Sequence, residues 1–127
     1  MIYTDSSVAL AYLFREARCP PDSFWSQPLV SSKLLEYEIW NRVHAYGLTV
    51  SHGDEARQLM LRVVLIELDE QVLARALEPF PAPVRTLDSL HLATVDFLRH
   101  SQPVELASYD DRMVVAAEAL GILIAAL

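Results

Sequence analysis

The segment RTLDSLHLATVDFL, residues 85–98, reads as a helix with one feature out of place. At about 100° per residue, Leu87, Leu90, Val95, Phe97 and Leu98 form one broad apolar arc, and Ser89 and Asp96 share the polar gap. Asp88 lies outside that gap, between Val95 and Leu92, and His91 lies between Leu98 and Val95. A carboxylate on a core-facing stripe costs on the order of several kcal/mol unless it is paired or bound to a metal. As a first-turn acid behind Thr86 as cap, Asp88 would gain only about 0.3–1 kcal/mol from the helix dipole. His91 reads as a hydrogen-bonded core histidine.

Outward from this helix, the breaker FPAPVR (80–85) precedes it and a short strand around 104–107 follows it. Upstream, a strand over 1–5 ends in Asp5, which together with Ser6 offers caps for a helix over 8–14. CPP (19–21) is a turn, and 22–27 can form a short helix. PLVSS (28–32) reads as a strand, and LLEYEIWNRVHAY (34–46) as an amphipathic helix ending near Gly47. Ser51 opens a further helix, 63–68 reads as a buried strand, and Asp69 caps the helix DEQVLARALE. YDDRMVVAAEALG (109–121) then gives a helix and ILIAAL a last strand. Short apolar strands alternating with helices predict an α/β fold, with a mostly parallel sheet covered on both faces.

A chain of 127 residues corresponds to one domain, here 1–127, able to bury a real core. The hydrophobic content of 53% excludes a disordered chain. Cys19 alone excludes an internal disulfide and a cysteine-based zinc cluster, in keeping with a reducing cytoplasm. The N-terminus has no basic segment and carries Asp5 inside its apolar run, unlike a signal peptide. No apolar run approaches the ~20 residues of a membrane span. Only three glycines leave no room for a P-loop or dinucleotide fingerprint. Seventeen acids against ten bases give a net charge of −7, awkward for a protein holding nucleic acid by backbone electrostatics alone. Nine of the ten bases are arginine, whose planar fork suits phosphate, although a high-GC genome produces the same bias.

In open α/β sheets, ligands bind at the carboxyl ends of strands near the point where strand order reverses. Asp5 stands at such an end, as do Asp110 and Asp111, although each also reads as a helix cap and Ser108-x-x-Asp111 fits a capping box. On the 34–46 helix, Glu38 falls inside the buried arc between Ala45 and Leu35, whereas Glu36 lies at its border; Glu38 could instead pair with Arg42 four residues on. Converging carboxylates raise each other's pKa and need a cation to stay ionised together. Oxygen-only ligation selects Mg²⁺ or Mn²⁺, ions that serve phosphoryl chemistry. His44, His52 and His100 show no ligand spacing.

YTDSSVALAYL, SSKLLEYEIWNR, RTLDSLHLAT and ASYDDRMVVAAEALGI, in this order, resemble the PIN domain, most closely VapC-type toxins of toxin–antitoxin pairs. The resemblance implies a three-layer α/β/α sandwich around a five-stranded, mainly parallel sheet. It also implies an endoribonuclease that hydrolyses phosphodiesters with Mg²⁺ or Mn²⁺, leaving 5′-phosphate and 3′-hydroxyl ends. Carried over by position, the acidic quartet is Asp5, Glu38, Asp88 and Asp110. Glu38 is preferred over Glu36 because it follows Ser32 by six residues, and Asp110 over Asp111 because it follows Ser108-Tyr109, which leaves Asp111 as the cap. Ser6 and Ser108 would orient a water or a carboxylate, and Arg42, Arg85 and Arg112 would meet RNA phosphates. A VapB-type antitoxin with a basic side chain for the acidic pocket, and a homodimer through 8–14 and 34–46, are the implied partners. A receiver domain would need paired acids after strand one and a late lysine, and a dehalogenase-like phosphatase would need D-x-D where D-S-S stands. The remaining rival is a catalytically idle PIN fold that acts only as a binding module.

Overall fold

The computed structural model describes residues 1–127. Five strands, β1 (Ile2–Thr4), β2 (Leu29–Ser32), β3 (Val63–Ile66), β4 (Glu105–Ala107) and β5 (Leu123–Ile124), form one sheet in the order β3-β2-β1-β4-β5. Every neighbouring pair is parallel. Six α-helices connect them: α1 (Ser6–Leu13), α2 (Leu34–Ala45), α3 (Thr49–Met60), α4 (Glu70–Ala76), α5 (Thr86–Arg99) and α6 (Asp111–Ala119). A 3₁₀ turn spans Asp22–Ser26.

Side-chain alternation along each strand divides the core into two halves. Leu29 of β2 and Ala107 of β4 face a cluster built from Val8, Leu13, Leu35, Ile39, Val43 and Leu59 on α1, α2 and α3. Tyr3, Val30 and Leu106 face the opposite cluster, with Leu92, Val95, Leu98 and Met113 on α5 and α6. Helix α4 packs on α5 and buries Val72. The expected three-layer α/β/α sandwich is therefore present, and no helix is long and apolar enough to cross a membrane.

Several local expectations are revised. The third strand lies at the sheet edge and Val64 is 61% exposed, because nothing pairs beyond β3. Helix α3 begins at Thr49, two residues before Ser51, with no side-chain cap. The last strand contracts to Leu123–Ile124. On α5 the buried set is His91 to Asp96 plus Leu98, while Leu87 and Phe97 of the assumed arc are partly exposed. A helix enclosed by the sheet, α4 and α6 has no single apolar face, so one stripe on a wheel misplaces its ends.

The chain runs outward from β1 through β2 to β3, then crosses back to β4 and β5 on the other side. The order reverses beside β1, so a crevice opens at the carboxyl ends of β1 and β4.

Candidate active site

Asp5 follows β1 directly and caps α1. Its Oδ1 accepts the backbone N–H groups of Ser7 at 3.0 Å and Val8 at 3.4 Å and the Ser7 hydroxyl at 2.5 Å; Oδ2 accepts the Ser108 hydroxyl at 2.5 Å. Each of these donors is a hydroxyl or a backbone N–H rather than a cationic side chain. Burial, at 3% exposure, pushes the Asp5 carboxyl above its ordinary value, and the hydrogen bonds from Ser108, Ser7 and Val8 offset only part of that rise.

Asp110 enters from the loop after β4. Its backbone N–H donates to Ser108 Oγ at 3.0 Å, and its own Oδ1 accepts the N–H groups of Arg112 and Met113. Asp110 is thus itself the cap of α6, and Asp111, expected to be the cap, is an exposed first-turn acid. One carboxylate oxygen suffices to cap the helix, which leaves Oδ2 directed to the cleft, 3.2 Å from Arg85 Nη2. Asp88 sits in the first turn of α5, whose cap position is Arg85 and not Thr86. Its Oδ2 lies 3.3 Å from Arg85 Nε. Arg85, 66% exposed, bridges the two carboxylates.

Glu38 reaches the same cleft from α2, one turn into the helix after β2. Oε2 accepts the Ser6 hydroxyl at 3.2 Å and Oε1 lies 2.5 Å from His91 Nε2. Glu36 instead pairs with Lys33 at 2.9 Å on the surface. No Glu38–Arg42 pair forms: the Arg42 guanidinium lies 5.6 Å from the Tyr46 ring centre and donates to its hydroxyl at 3.3 Å.

Together Asp5, Ser6, Glu38, Arg42, Arg85, Asp88, His91 and Asp110 line one cleft of about 440 Å³. Ser108 stands behind it as the holder of Asp5. Arg112 is not in this cleft; it borders an adjoining groove with Arg85, Asp88 and Asp111. Two residues that contribute here are absent from the sequence-based set. Ser7 Oγ donates to Asp5 and accepts the Tyr109 N–H at 2.9 Å, tying the β1–α1 turn to the β4 loop. Its signal is the Asx turn written in Asp5-Ser6-Ser7. His91, read as a plain core histidine, is indeed buried but also touches Glu38; its signal is the i, i+3 spacing from Asp88.

As arranged here, no three acidic, histidine or cysteine side chains close on a common point. The donor set nonetheless fits a hard cation, being carboxylates only. Asp5 is desolvated without a cationic partner, and Asp88 and Asp110 draw in the nearest guanidinium.

Compared with known proteins, residues 2–119 match the PIN domain family. The chain belongs to the PIN domain family. It is 33% identical over 128 residues to "Ribonuclease VapC46" of Mycobacterium tuberculosis (strain ATCC 25618 / H37Rv), a match spanning 98% of this chain and 96% of that protein. That similarity along almost the whole length places it with the VapC-type PIN domains. A structure titled "Toxin-antitoxin complex from Klebsiella pneumoniae" shares the fold with a TM-score of 0.69 at 14% identity, covering 94% of each chain.

Proposed function

We propose that this PIN domain is a divalent-metal-dependent endoribonuclease and the toxin of a toxin–antitoxin pair. The observation that carries it is Asp5, a buried carboxylate with no cationic partner, facing a cleft with Glu38, Asp88 and Asp110. Asp5, Asp88 and Asp110 would hold Mg²⁺ or Mn²⁺, with Glu38 completing the set. Such an ion supplies charge stabilisation at the phosphodiester and lowers the pKa of water.

The protein's own groups do the rest. Ser7 and Ser108 fix both oxygens of Asp5, so the carboxylate cannot turn away from the cleft. Asp110 is held by its capping bonds through Oδ1, while Oδ2 meets only the exposed Arg85. Glu38, aimed inward by Ser6 and His91, is placed to orient the attacking water. Arg85 and Arg42 line the cleft and would meet phosphates of the RNA, and Arg112 would extend that contact along the adjoining groove. On this reading the net charge of −7 suits a basic partner, a VapB-type antitoxin in the cytoplasm. The relative named VapC46 and the toxin–antitoxin neighbour support that assignment. A homodimer would use exposed apolar side chains such as Tyr37 of α2 and Tyr46 just after it, because Val8, Ala9, Ala11 and Leu13 of α1 lie in the protein's own core.

The test is RNA cleavage by the purified protein beside Asp5→Asn and Asp88→Asn, with and without EDTA. Cleavage that disappears in both variants and on chelation is the expected result. Equal cleavage by the variants, or indifference to EDTA, rejects the reading. Inactivity of every form with tight binding to a partner would favour the binding module.

A further inference from the structure

A chain of buried polar groups runs from the sheet to the cleft. Tyr3 of β1 is 0% exposed and His91 of α5 is 1% exposed. Tyr3 Oη lies 2.7 Å from His91 Nδ1, with the rings edge to face. Buried polar groups of this size persist in a core only when hydrogen-bonded, and here the bonds lead to Glu38.

The direction of each bond follows from which protons are already committed. The Ser32 N–H donates to Tyr3 Oη at 3.1 Å. Ser31 commits its proton to the Thr4 carbonyl at 2.6 Å and Thr94 to the Leu90 carbonyl at 2.8 Å, so neither hydroxyl donates to Tyr3. The Glu38 carboxylate can only accept, so in the neutral ring the His91 proton sits on Nε2, and Nδ1, 2.7 Å from Tyr3 Oη, accepts the proton that burial keeps on Tyr3. The Nε2 proton is donated to Glu38 Oε1. Ser6 takes the other oxygen. Glu38 has three rotatable bonds between its helix and its carboxylate, and these two donors fix its end.

We propose that His91, held at Nδ1 by Tyr3, is a positioning residue that holds the Glu38 carboxylate in the cleft. Because Asp88 lies three residues earlier on the same helix, α5 both carries one carboxylate of the cleft and sets the place of another. The proposal rests on the reading of Glu38 as part of the active site. It differs from a core role in one respect: the function of His91 runs entirely through Glu38.

Two substitutions separate the ends of the ring. The amide nitrogen of His91→Gln can stand where Nε2 stands and keep the bond to Glu38. His91→Asn keeps only the Tyr3 side. Partners of this kind typically affect metal affinity or activity by about 10–100-fold. His91→Asn is expected to lose that much in kcat, with KM for RNA unchanged, and to weaken Mn²⁺ binding in calorimetry as Glu38→Gln does. His91→Gln stays close to the wild type, and adding His91→Asn to Glu38→Gln causes no further loss. Equal losses in both His91 variants, or additive losses in the double variant, would overturn the proposal. The imidazole ¹⁵N spectrum of the unaltered protein needs no variant to fold: a proton on Nε2 supports the arrangement, and a proton on Nδ1 alone refutes it. If the wild type cleaves no RNA the ribonuclease reading fails, while Mn²⁺ affinities and the imidazole spectrum still decide how Glu38 is held.

Discussion

Asp96, near the end of α5, and Asp5, after β1, are both buried aspartates in opposite surroundings. Burial pushes Asp96 up as well, but Arg75 at 2.8 Å and Arg99 at 2.7 Å outweigh it and hold its carboxyl below the ordinary value. Arg75 also stacks on Phe80 at 4.3 Å, and Arg99 donates to the Leu120 carbonyl at 2.6 Å. Asp96 thereby joins α4, α5 and the end of α6. Asp5 has only hydroxyl and backbone donors, and its carboxyl is held above the ordinary value. One site satisfies a charge from within the protein and serves stability. On the proposed function the other leaves a charge for a metal ion to complete, and strongly perturbed carboxylates of this kind cluster at functional sites.

The sharpest way to break this contrast is to neutralise each aspartate. Asp5→Asn should lower RNA cleavage by roughly 100-fold or more, while its thermal midpoint does not fall, since a desolvated charge has been removed. A lower midpoint with intact cleavage would reverse the roles. Asp96→Asn should do the opposite. It leaves two partly exposed guanidiniums without their partner and should reduce unfolding free energy by about 2–3 kcal/mol, toward the lower end for a broken buried pair. Its cleavage per folded molecule should match the wild type, and denaturant titration checks the loss.

The pH dependence sharpens the same point. A carboxyl whose folded pKa lies below its unfolded value contributes stability that is present above the unfolded pKa, about 3.9. That contribution disappears as the pH falls through the lower folded value. The acid limb of the stability curve should therefore be shallower below about pH 4 in Asp96→Asn than in the wild type, measured by denaturant midpoints across acidic buffers. A smaller effect is expected at the rim. Arg85→Ala frees Asp88 and Asp110 from an exposed guanidinium and should tighten Mn²⁺ binding by roughly two- to fivefold. On the proposed function KM for RNA should rise as well, because Arg85 would meet a phosphate. Glu36→Gln, on the outer face of α2, should leave both cleavage and midpoint unchanged.

Much of this was legible in the chain itself. Short apolar strands separated by helices specify a covered parallel sheet, because both faces of each strand must be buried. Glu38 and Asp88 announced themselves as charges where local periodicity demanded apolar residues, and Asp5 by its place at the carboxyl end of a strand. Glu38 was preferred over Glu36 on the helical wheel and on the spacing from Ser32 that the PIN resemblance implies, and the structure places Glu36 outside, beside Lys33. Helical periodicity failed where a helix has neighbours on several sides, as with Leu87 and Phe97 on α5. It also assigned Asp96 to a polar gap, where the structure shows a buried ion-pair centre between two helices and a loop carbonyl.

What the sequence determined, then, was the alternation of elements, through local periods of two and 3.6 residues, and the candidate acids, through helical period, strand ends and the motifs of the PIN resemblance. Tertiary structure alone decided which groups those acids meet. Ser108 reaches Asp5 across 103 residues, His91 reaches Glu38 across 53, and Tyr3 reaches His91 across 88. Such pairings depend on strand order and helix packing, and local periodicity carries no record of either. In RTLDSLHLATVDFL, Asp88 and His91 stand on the same side of the helix, and that both line one cleft became visible only when α2 and β1 were placed against it.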